Sequence, residues 1–277
     1  MNNRKTAIQR QFNRSAEGLY DIHADVQRTM AAQLAKCLIG WHSSGRNADE
    51  LNMLEIGCGT GNLTELLLNQ WPYASITALD IAPAMIKAAE QRFKSSQSGN
   101  ISFLQADVEM WAAAAPSDSV DLIISNACFQ WLSHPSQTLS HLKRILRKGG
   151  LLVFTTFGPK TFHELHQAFT DVYYANGMEP QRHGLSVLSP DQWKDALMEA
   201  GFSTICYQQD LVKEAYTSPR EFLQSIKAMG ASTSEAIKIG RLSSRRLFTE
   251  MYKVYEEKYS IQDGVVATYE LLLFQAG

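Results

Sequence analysis

Apolar residues recur every four positions at Val26, Met30, Leu34 and Leu38, a spacing that gathers them on one face of a helix. The polar stretch 43–50 follows, and then the period changes. A short apolar run at 52–56 meets a glycine cluster, after which Leu63, Leu66 and Leu67 mark one face of a second helix. Runs at 75–80, 101–105, 120–125 and 151–157 predict four further strands. Helices are expected at 83–93 and through Leu139, Leu142, Ile145 and Leu146, with a loop through Pro116 and with Gly149-Gly150 suited to a helix C-cap. Strands alternating with helices predict a parallel sheet covered on both faces, which right-handed crossovers make doubly wound.

The rhythm breaks after Phe157. Segments 161–176, 219–231 and 241–259 read as helices, the last long and polar, while Ser189-Pro190-Asp191 caps another that Gly201 ends. Sixth and seventh strands are expected at 202–208 and 265–275. No internal repeat occurs, and no linker is long enough to separate domains. The expected architecture is one α/β domain over 1–277. It has N-terminal helices within 1–42, a cofactor-binding core at about 51–157, and an inserted lid of helices at about 160–187 and 217–260.

Composition narrows the partners. The 277 residues are 45% apolar, enough for a sizeable core, and 26 Lys+Arg against 28 Asp+Glu give a net charge of −2. A near-neutral chain is not a general binder of nucleic acid or membrane surfaces, because phosphate affinity rests on an excess of cations. Cys37, Cys58, Cys128 and Cys206 lie far apart without a C-x-x-C pair, which suits reduced thiols in the cytoplasm better than a disulfide scaffold or a zinc ribbon. An untargeted soluble protein is expected, since the N-terminus lacks an apolar stretch and no run of about 18 apolar residues occurs.

The glycine cluster carries the first chemistry. Glu55-Ile-Gly57-Cys-Gly59-Thr-Gly61 follows the first strand and opens a helix, where glycines let the backbone turn tightly and approach a ligand. Its spacing is G-x-G-x-G, unlike the G-x-G-x-x-G of dinucleotide binders, and an acid precedes it. A carboxylate facing that crevice repels a pyrophosphate and suits an ammonium group. Asp80, ending the second strand, stands where both hydroxyls of a ribose can be accepted, and Asp107, ending the third, can accept from an adenine amino group. Taken singly, Glu55 and Asp107 are equally well solvated loop acids, and Asp80 a helix cap. Three acids at the carboxyl ends of successive strands favour an adenosine joined to a cation.

With Leu79-Asp80-Ile81, Met85, Asp107 and Asn126, this motif set resembles the class I S-adenosylmethionine-dependent methyltransferases over roughly residues 51–157. The resemblance implies S-adenosylmethionine as cofactor, with Gly57, Gly59 and Gly61 under its methionyl part, Asp80 on the ribose, Asp107 and the Val108 amide on the adenine, and Ile81 and Met85 beside the base. Tyr20, Gln27, Glu55, Asn126 and Phe129 complete the implied cofactor site. An antiparallel last strand in a mostly parallel, seven-stranded sheet is implied as well.

Further segments resemble the biotin-pathway malonyl-[acyl-carrier protein] O-methyltransferase family. They are the stretch from Phe12-Asn13-Arg14 to Tyr20, Ala24-Asp25-Val26-Gln27, Ser125-Asn126-Ala-Cys-Phe129-Gln130-Trp131, Phe157-Gly158-Pro159 with Glu164-Leu165, and Ile226-Lys-Ala-Met-Gly230-Ala231. The implied reaction is methylation of the free carboxylate of a malonyl thioester. A carboxylate of pKa about 4 is already ionised at neutral pH, so no general base is needed. Expected substrate-positioning residues are Tyr20, Gln130 and Trp131 over the sulfonium, with Arg14, His163, Arg182 or His183 orienting the carboxylate. Trp131 is equally well a core residue. His163 and His166, three apart on an expected helix, lack the carboxylate or cysteine pattern of a metal site, and no metal is expected.

An acyl-carrier protein is acidic, so a basic docking surface is expected. Two clusters lack any acid in sequence: Arg4, Lys5, Arg10 and Arg14, and Lys238, Arg241, Arg245 and Arg246. Either is equally a solvated face. Two other functions stay open: a small-molecule O- or C-methyltransferase acting on an aconitate-like acid or a quinone precursor, and a non-catalytic cofactor-binding regulator.

Overall fold

The computed structural model describes residues 3–16, 20–41, 50–94, 100–230 and 244–277. Among them a mostly parallel sheet runs in the order β3-β2-β1-β4-β5-β8-β6, with the two-residue β7 (Ser260–Ile261) paired to β8. The strands β1 (Asn52–Ile56), β2 (Ser75–Asp80), β3 (Ile101–Gln105), β4 (Val120–Ser125) and β5 (Leu146–Phe157) are mutually parallel, whereas β8 (Gly264–Ala276) is antiparallel to both β5 and β6 (Ile205–Tyr216).

Alternate residues of the parallel strands face opposite layers. Leu54, Ile56, Leu79, Ile123 and Phe154 pack on α6 (Val108–Ala114), α7 (Pro135–Ile145) and α9 (Pro190–Glu199); Met53, Ile76, Ala78, Leu122 and Val153 pack on α3 (Asp25–Cys37), α4 (Asn62–Gln70) and α5 (Pro83–Phe93). Burial on both faces explains why these strands are continuous apolar runs. The strand order reverses at β1, with β2 on one side and β4 on the other, so the loops leaving their carboxyl ends part and leave a crevice there.

Four details differ from the expectation. Helix α6 replaces the loop before Pro116; Asp107 caps it by accepting from the Glu109 amide at 3.1 Å, and its alanine-rich sequence gives no amphipathic contrast. Helix α7 ends at Ile145, and Gly149, at φ 76°, lies inside β5 beside a register irregularity instead of capping the helix. Strand β6 runs 205–216, not 202–208; it is an edge strand, largely exposed, so no alternation marks it. The sheet also gains β7. By contrast α9 begins with the expected cap, in which Ser189 and Gln192 reciprocally satisfy each other's backbone amides.

Strand β8 joins the sheet to the rest. Its Leu271–Ala276 half pairs with β5, while the other half continues beyond the parallel sheet on β6, with the short β7 paired at Gly264 and Val265. Onto that projecting half pack α8 (His163–Ala175), α10 (Pro219–Ala228) and α11 (Ser244–Tyr259), around Phe169, Phe222, Met251, Tyr255 and Ala267. The anchor is Glu164 of α8, 2% exposed, whose carboxylate accepts from the Thr268 amide at 3.1 Å and from the Thr268 hydroxyl, while the Phe162 amide donates to the Thr268 carbonyl at 2.7 Å. Glu164→Ala leaves the buried Thr268 donors unpaired and is expected to lower the unfolding free energy in a urea titration by about 1–3 kcal/mol. A loss below about 0.5 kcal/mol contradicts the anchoring role.

Candidate active site

The crevice at the reversal holds about 740 Å³ of space, open solvent included. The carboxyl ends of four strands build it: Ile56 and Gly57 from β1, Leu79 and Asp80 from β2, Ala106 and Asp107 after β3, and Asn126 after β4. A Cβ at Gly57, where φ is 72°, would stand 2.5 Å from the Cys128 sulfur, so only glycine fits. Asp80 Oδ2 accepts from the Gly59 amide at 3.0 Å and Oδ1 from the Ala82 amide at 2.8 Å, which fixes the carboxylate at the cavity wall. Burial pushes its pKa up, and the amides of Ala82, Gly59 and Ile81 pull it back.

Helix α1 (Asn3–Ser15) lies along the adjoining rim. Gln9 Nε2 donates to the Ile81 carbonyl at 2.8 Å, and Asn13 Oδ1 accepts from the Ala84 amide at 3.0 Å in the first turn of α5. Lys5 reaches into the cavity, 2.6 and 2.5 Å from the two Asp107 oxygens, and also pairs with Glu109. Burial drives Glu109 upward, but Lys5 and the His134 and Ser133 amides outweigh it and hold the carboxyl below its ordinary value. Tyr20, at the start of α2 (Tyr20–His23), lines the same cavity, and burial together with Asp80, Asp21 and Cys128 raises its phenol, so it is a donor rather than a base. Ile81, Met85 and Val108 supply apolar walls.

A second cavity of about 1500 Å³ opens between the sheet and the lid helices, and Trp131 lines both. Trp131 packs edge-on against Phe12 at 5.5 Å. Beside it Gln130 is held rigidly, its Nε2 donating to the Ala127 carbonyl at 2.7 Å and its Oε1 accepting from Thr156 at 3.1 Å. Gln27 of α3 lines the second cavity; its backbone carbonyl accepts from Asn126 at 3.0 Å, tying it to the first, and its buried Oε1 has no partner. The remaining lining is largely apolar. Its charged members are Arg182, Arg220 and Lys227, and its imidazoles His166 and His183; among the described residues no carboxylate lines it. Burial, with Arg182, His183 and His163 nearby, lowers His166 to about 4, and burial lowers His183, which stacks on Phe169 at 3.7 Å and meets the Tyr173 hydroxyl at 2.8 Å. Both imidazoles are neutral at pH 7.

The structure thus gathers Tyr20, Gly57, Gly59, Asp80, Ile81, Met85, Asp107, Val108, Asn126 and Trp131 on one cavity, and Gln27, Gln130, Trp131, Arg182 and His183 on the other. Several expected residues lie elsewhere. Glu55 is 1% exposed and faces α4, where Thr64 donates to it at 2.7 Å, so it is not a carboxylate open to the crevice. Gly61, at φ 89°, sits at the N-cap of α4, with Phe93 against its α-carbon. Phe129 is core, stacked on Phe154 at 4.5 Å. Arg14 is exposed on α1 and lines neither cavity, and His163 faces solvent beside the Lys160 carbonyl. Of the basic clusters, Lys5 is committed to Asp107 and Glu109, Arg245 is exposed, Arg246 pairs with Glu250 at 2.6 Å, and Lys238 and Arg241 lie outside the described residues. Sequence reasoning missed Arg220, Gln224 and Lys227; the polar stripe of α10 was the available signal.

Similarity to known proteins agrees with this geometry. A family model described as a methyltransferase domain matches residues 22–207. The chain is 74% identical over 277 residues, all of both chains, to the malonyl-[acyl-carrier protein] O-methyltransferase of Paenibacillus sp. (strain JDR-2). The chain belongs to the malonyl-[acyl-carrier protein] O-methyltransferase family. A member from Brevibacillus brevis is 40% identical over 273 residues, 98% of this chain and 96% of that one. The fold is that of S-adenosylmethionine-dependent methyltransferases: phosphoethanolamine N-methyltransferase 2 of Haemonchus contortus, solved with S-adenosylhomocysteine, superposes with a TM-score of 0.54 at 17% identity, covering 88% of this chain and 52% of that one. No described helix is long and apolar enough to cross a membrane.

Glu55 gives this family member a measurable pH dependence. Burial raises its carboxyl to about 8, opposed by the Thr64 hydrogen bond. The folded protein therefore holds a proton that the unfolded chain releases in the ordinary carboxylate range. Its stabilising contribution is complete below that range and is lost as pH rises to about 8. Glu55→Gln is expected to flatten the decline in Tm across that window; an unchanged decline contradicts a neutral, buried Glu55.

Proposed function

We propose that the chain transfers a methyl group from S-adenosylmethionine to the free carboxylate of a malonyl thioester carried by an acidic acyl-carrier protein, giving the methyl ester used to build the pimelate part of biotin. One observation carries the reading beyond the family's name: two cavities of opposite electrostatic character meet at Trp131, one walled by Asp80, Asp107 and Glu109 against Lys5 as its single described cation, the other bearing Arg182, Arg220 and Lys227 and, among the described residues, no carboxylate. Opposite charges favour a cationic donor in the first and an anionic acceptor in the second.

The first cavity fits the donor. Gly59 leaves its wall open toward Tyr20, the fixed Asp80 carboxylate keeps lone pairs for ribose hydroxyls, and Ile81, Met85 and Val108 offer apolar faces to a base. Asp107 is the acceptor proposed for the adenine amino group. When bound there, S-adenosylmethionine supplies an electrophilic methyl group on a cationic sulfur.

The chain's own residues then have three tasks. Tyr20 and Trp131 exclude water from the seam, which keeps an anionic oxygen poorly solvated and reactive. Rigid Gln130 and the partnerless Gln27 Oε1 place neutral polar groups there, and neither neutralises a carboxylate. His166 and His183, uncharged, leave the positive charge of the second cavity to Arg182, Arg220 and Lys227, so attraction acts at a distance from the nucleophile. No residue needs to take a proton, because an acid of pKa about 4 arrives ionised.

A panel of malonyl-carrier protein, succinyl-carrier protein, malonyl-coenzyme A and free malonate, assayed with methyl-labelled donor, tests the reading. Label is expected as a base-labile ester chiefly on the malonyl thioesters; equal labelling of free malonate, or none on any acid, contradicts it. Gln130→Ala is expected to lower kcat by about tenfold or more with little change in KM for the donor, because loss of a fixed neighbour loosens the approach geometry. A change confined to donor KM removes Gln130 from acceptor positioning.

A further inference from the structure

Helix α10 has two unlike faces. Phe222, Ser225 and Ile226 are buried against the lid core, whereas Arg220, Gln224 and Lys227, spaced by four and three residues, are exposed and line the second cavity. The helix's single acid, Glu221, is turned back to its own cap, accepting from the Thr217 amide and hydroxyl, both at 2.6 Å. Arg182, also exposed, lines the same cavity and donates to the Leu185 carbonyl at 3.2 Å. The exposed rim of the cavity is therefore cationic, while its inner end, at Gln27, Gln130 and Trp131, is neutral.

A three-carbon diacid spans only a small part of this lining, and most of the remaining wall is apolar: Phe157, Phe162, Leu165, Phe169, Leu223 and Phe248. Such a wall suits an uncharged tether leading outward to an anion at the rim. Arg220 and Lys227 lie about 10 Å apart along the helix axis, a span that two long side chains can close around one phosphate. Resting on the proposed function above, we propose that Arg220 and Lys227, with Gln224 between them, form a subsite for the phosphate of a phosphopantetheine arm. The chain thereby selects thioesters whose tether bears a phosphate, and the malonyl end is drawn in to the seam beside Trp131.

The test compares two small substrates that differ only in that phosphate, malonyl-phosphopantetheine and malonyl-pantetheine, alongside malonyl-carrier protein. The wild-type enzyme is expected to show a KM for the phosphorylated thioester about tenfold or more below that for its phosphate-free partner. In R220A/K227A, and in R220Q/K227Q should the first fold poorly, that ratio is expected to fall to about one and the KM for malonyl-carrier protein to rise by a similar factor. Affinity for S-adenosylhomocysteine reports that each variant is folded. A wild-type enzyme indifferent to the phosphate, or variants that keep the preference, overturn the subsite. A KM increase for the carrier protein alone also overturns it, since the cations then read the carrier's surface and not its arm. Failure of the wild-type enzyme to methylate any of the three substrates removes instead the proposed function on which the subsite rests.

Discussion

Strand β8 is the constraint on which the arrangement depends. One half completes the sheet on β5, and the other runs on past the parallel strands with β6 along it and the two-residue β7 at its start. A sheet face left bare is unstable in water, so the projecting half needs a cover, and α8, α10 and α11 provide it around Phe222, Met251 and Tyr255. Buried Glu164 fixes that cover in register through Thr268. The outcome is a second cavity next to the crevice that the strand-order reversal at β1 makes unavoidable. Placement of the two chambers is thus a consequence of topology, and their chemistry is then set by side chains.

Those side chains sort charge. Acids cluster where backbone amides are available to hold them: Asp80 on the Gly59 and Ala82 amides, Asp107 at the N-cap of α6, and Glu109 on the Ser133 and His134 amides. Cations instead stand on the lid, and among the described residues the only one in the acidic cavity is Lys5, arriving from α1 to pair with Asp107 and Glu109. Between the chambers the polar groups are neutral. That gradient suits a transfer between a cation and an anion. In the proposed reaction each ligand is attracted by its own chamber, and among the described residues no cation lines the seam at Gln130 and Trp131 to quench the reacting oxygen.

Much of the core was legible in the sequence because β1, β2 and β4 are largely buried on both faces and bounded by turn residues, so each appears as a discrete apolar run, and the half-buried β3 still keeps Ile101, Phe103 and Leu104. The acids at their ends were legible for the same reason, once the ends were placed. Where burial is one-sided the signal fades: β6 is a polar edge strand, and α6, with alanines around Trp111, shows no stripe. Glu55 illustrates a different limit. Its position in the motif points to the crevice, but a strand residue's partner depends on which face it takes, and here that face meets Thr64 of α4. The second cavity was hardest to foresee, since it draws on α3, α8, the segment 182–187, α10 and α11, whose proximity only the lid's packing creates. Arg182 and His183 were identifiable as polar residues in an unassigned stretch; Arg220 and Lys227 looked like an ordinary solvated helix face.

In the proposed reaction donor and acceptor occupy separate, oppositely charged chambers that meet at Trp131, beside Gln130. A crystal structure of the enzyme with S-adenosylhomocysteine and a malonyl thioester measures this directly. The donor sulfur is expected on the Asp80 side of Trp131 and the thioester in the lid cavity, with the acceptor carboxylate beside Gln130 on the line toward that sulfur. A thioester bound outside the lid cavity, or a carboxylate held in direct contact with a guanidinium and turned away from the seam, would contradict it.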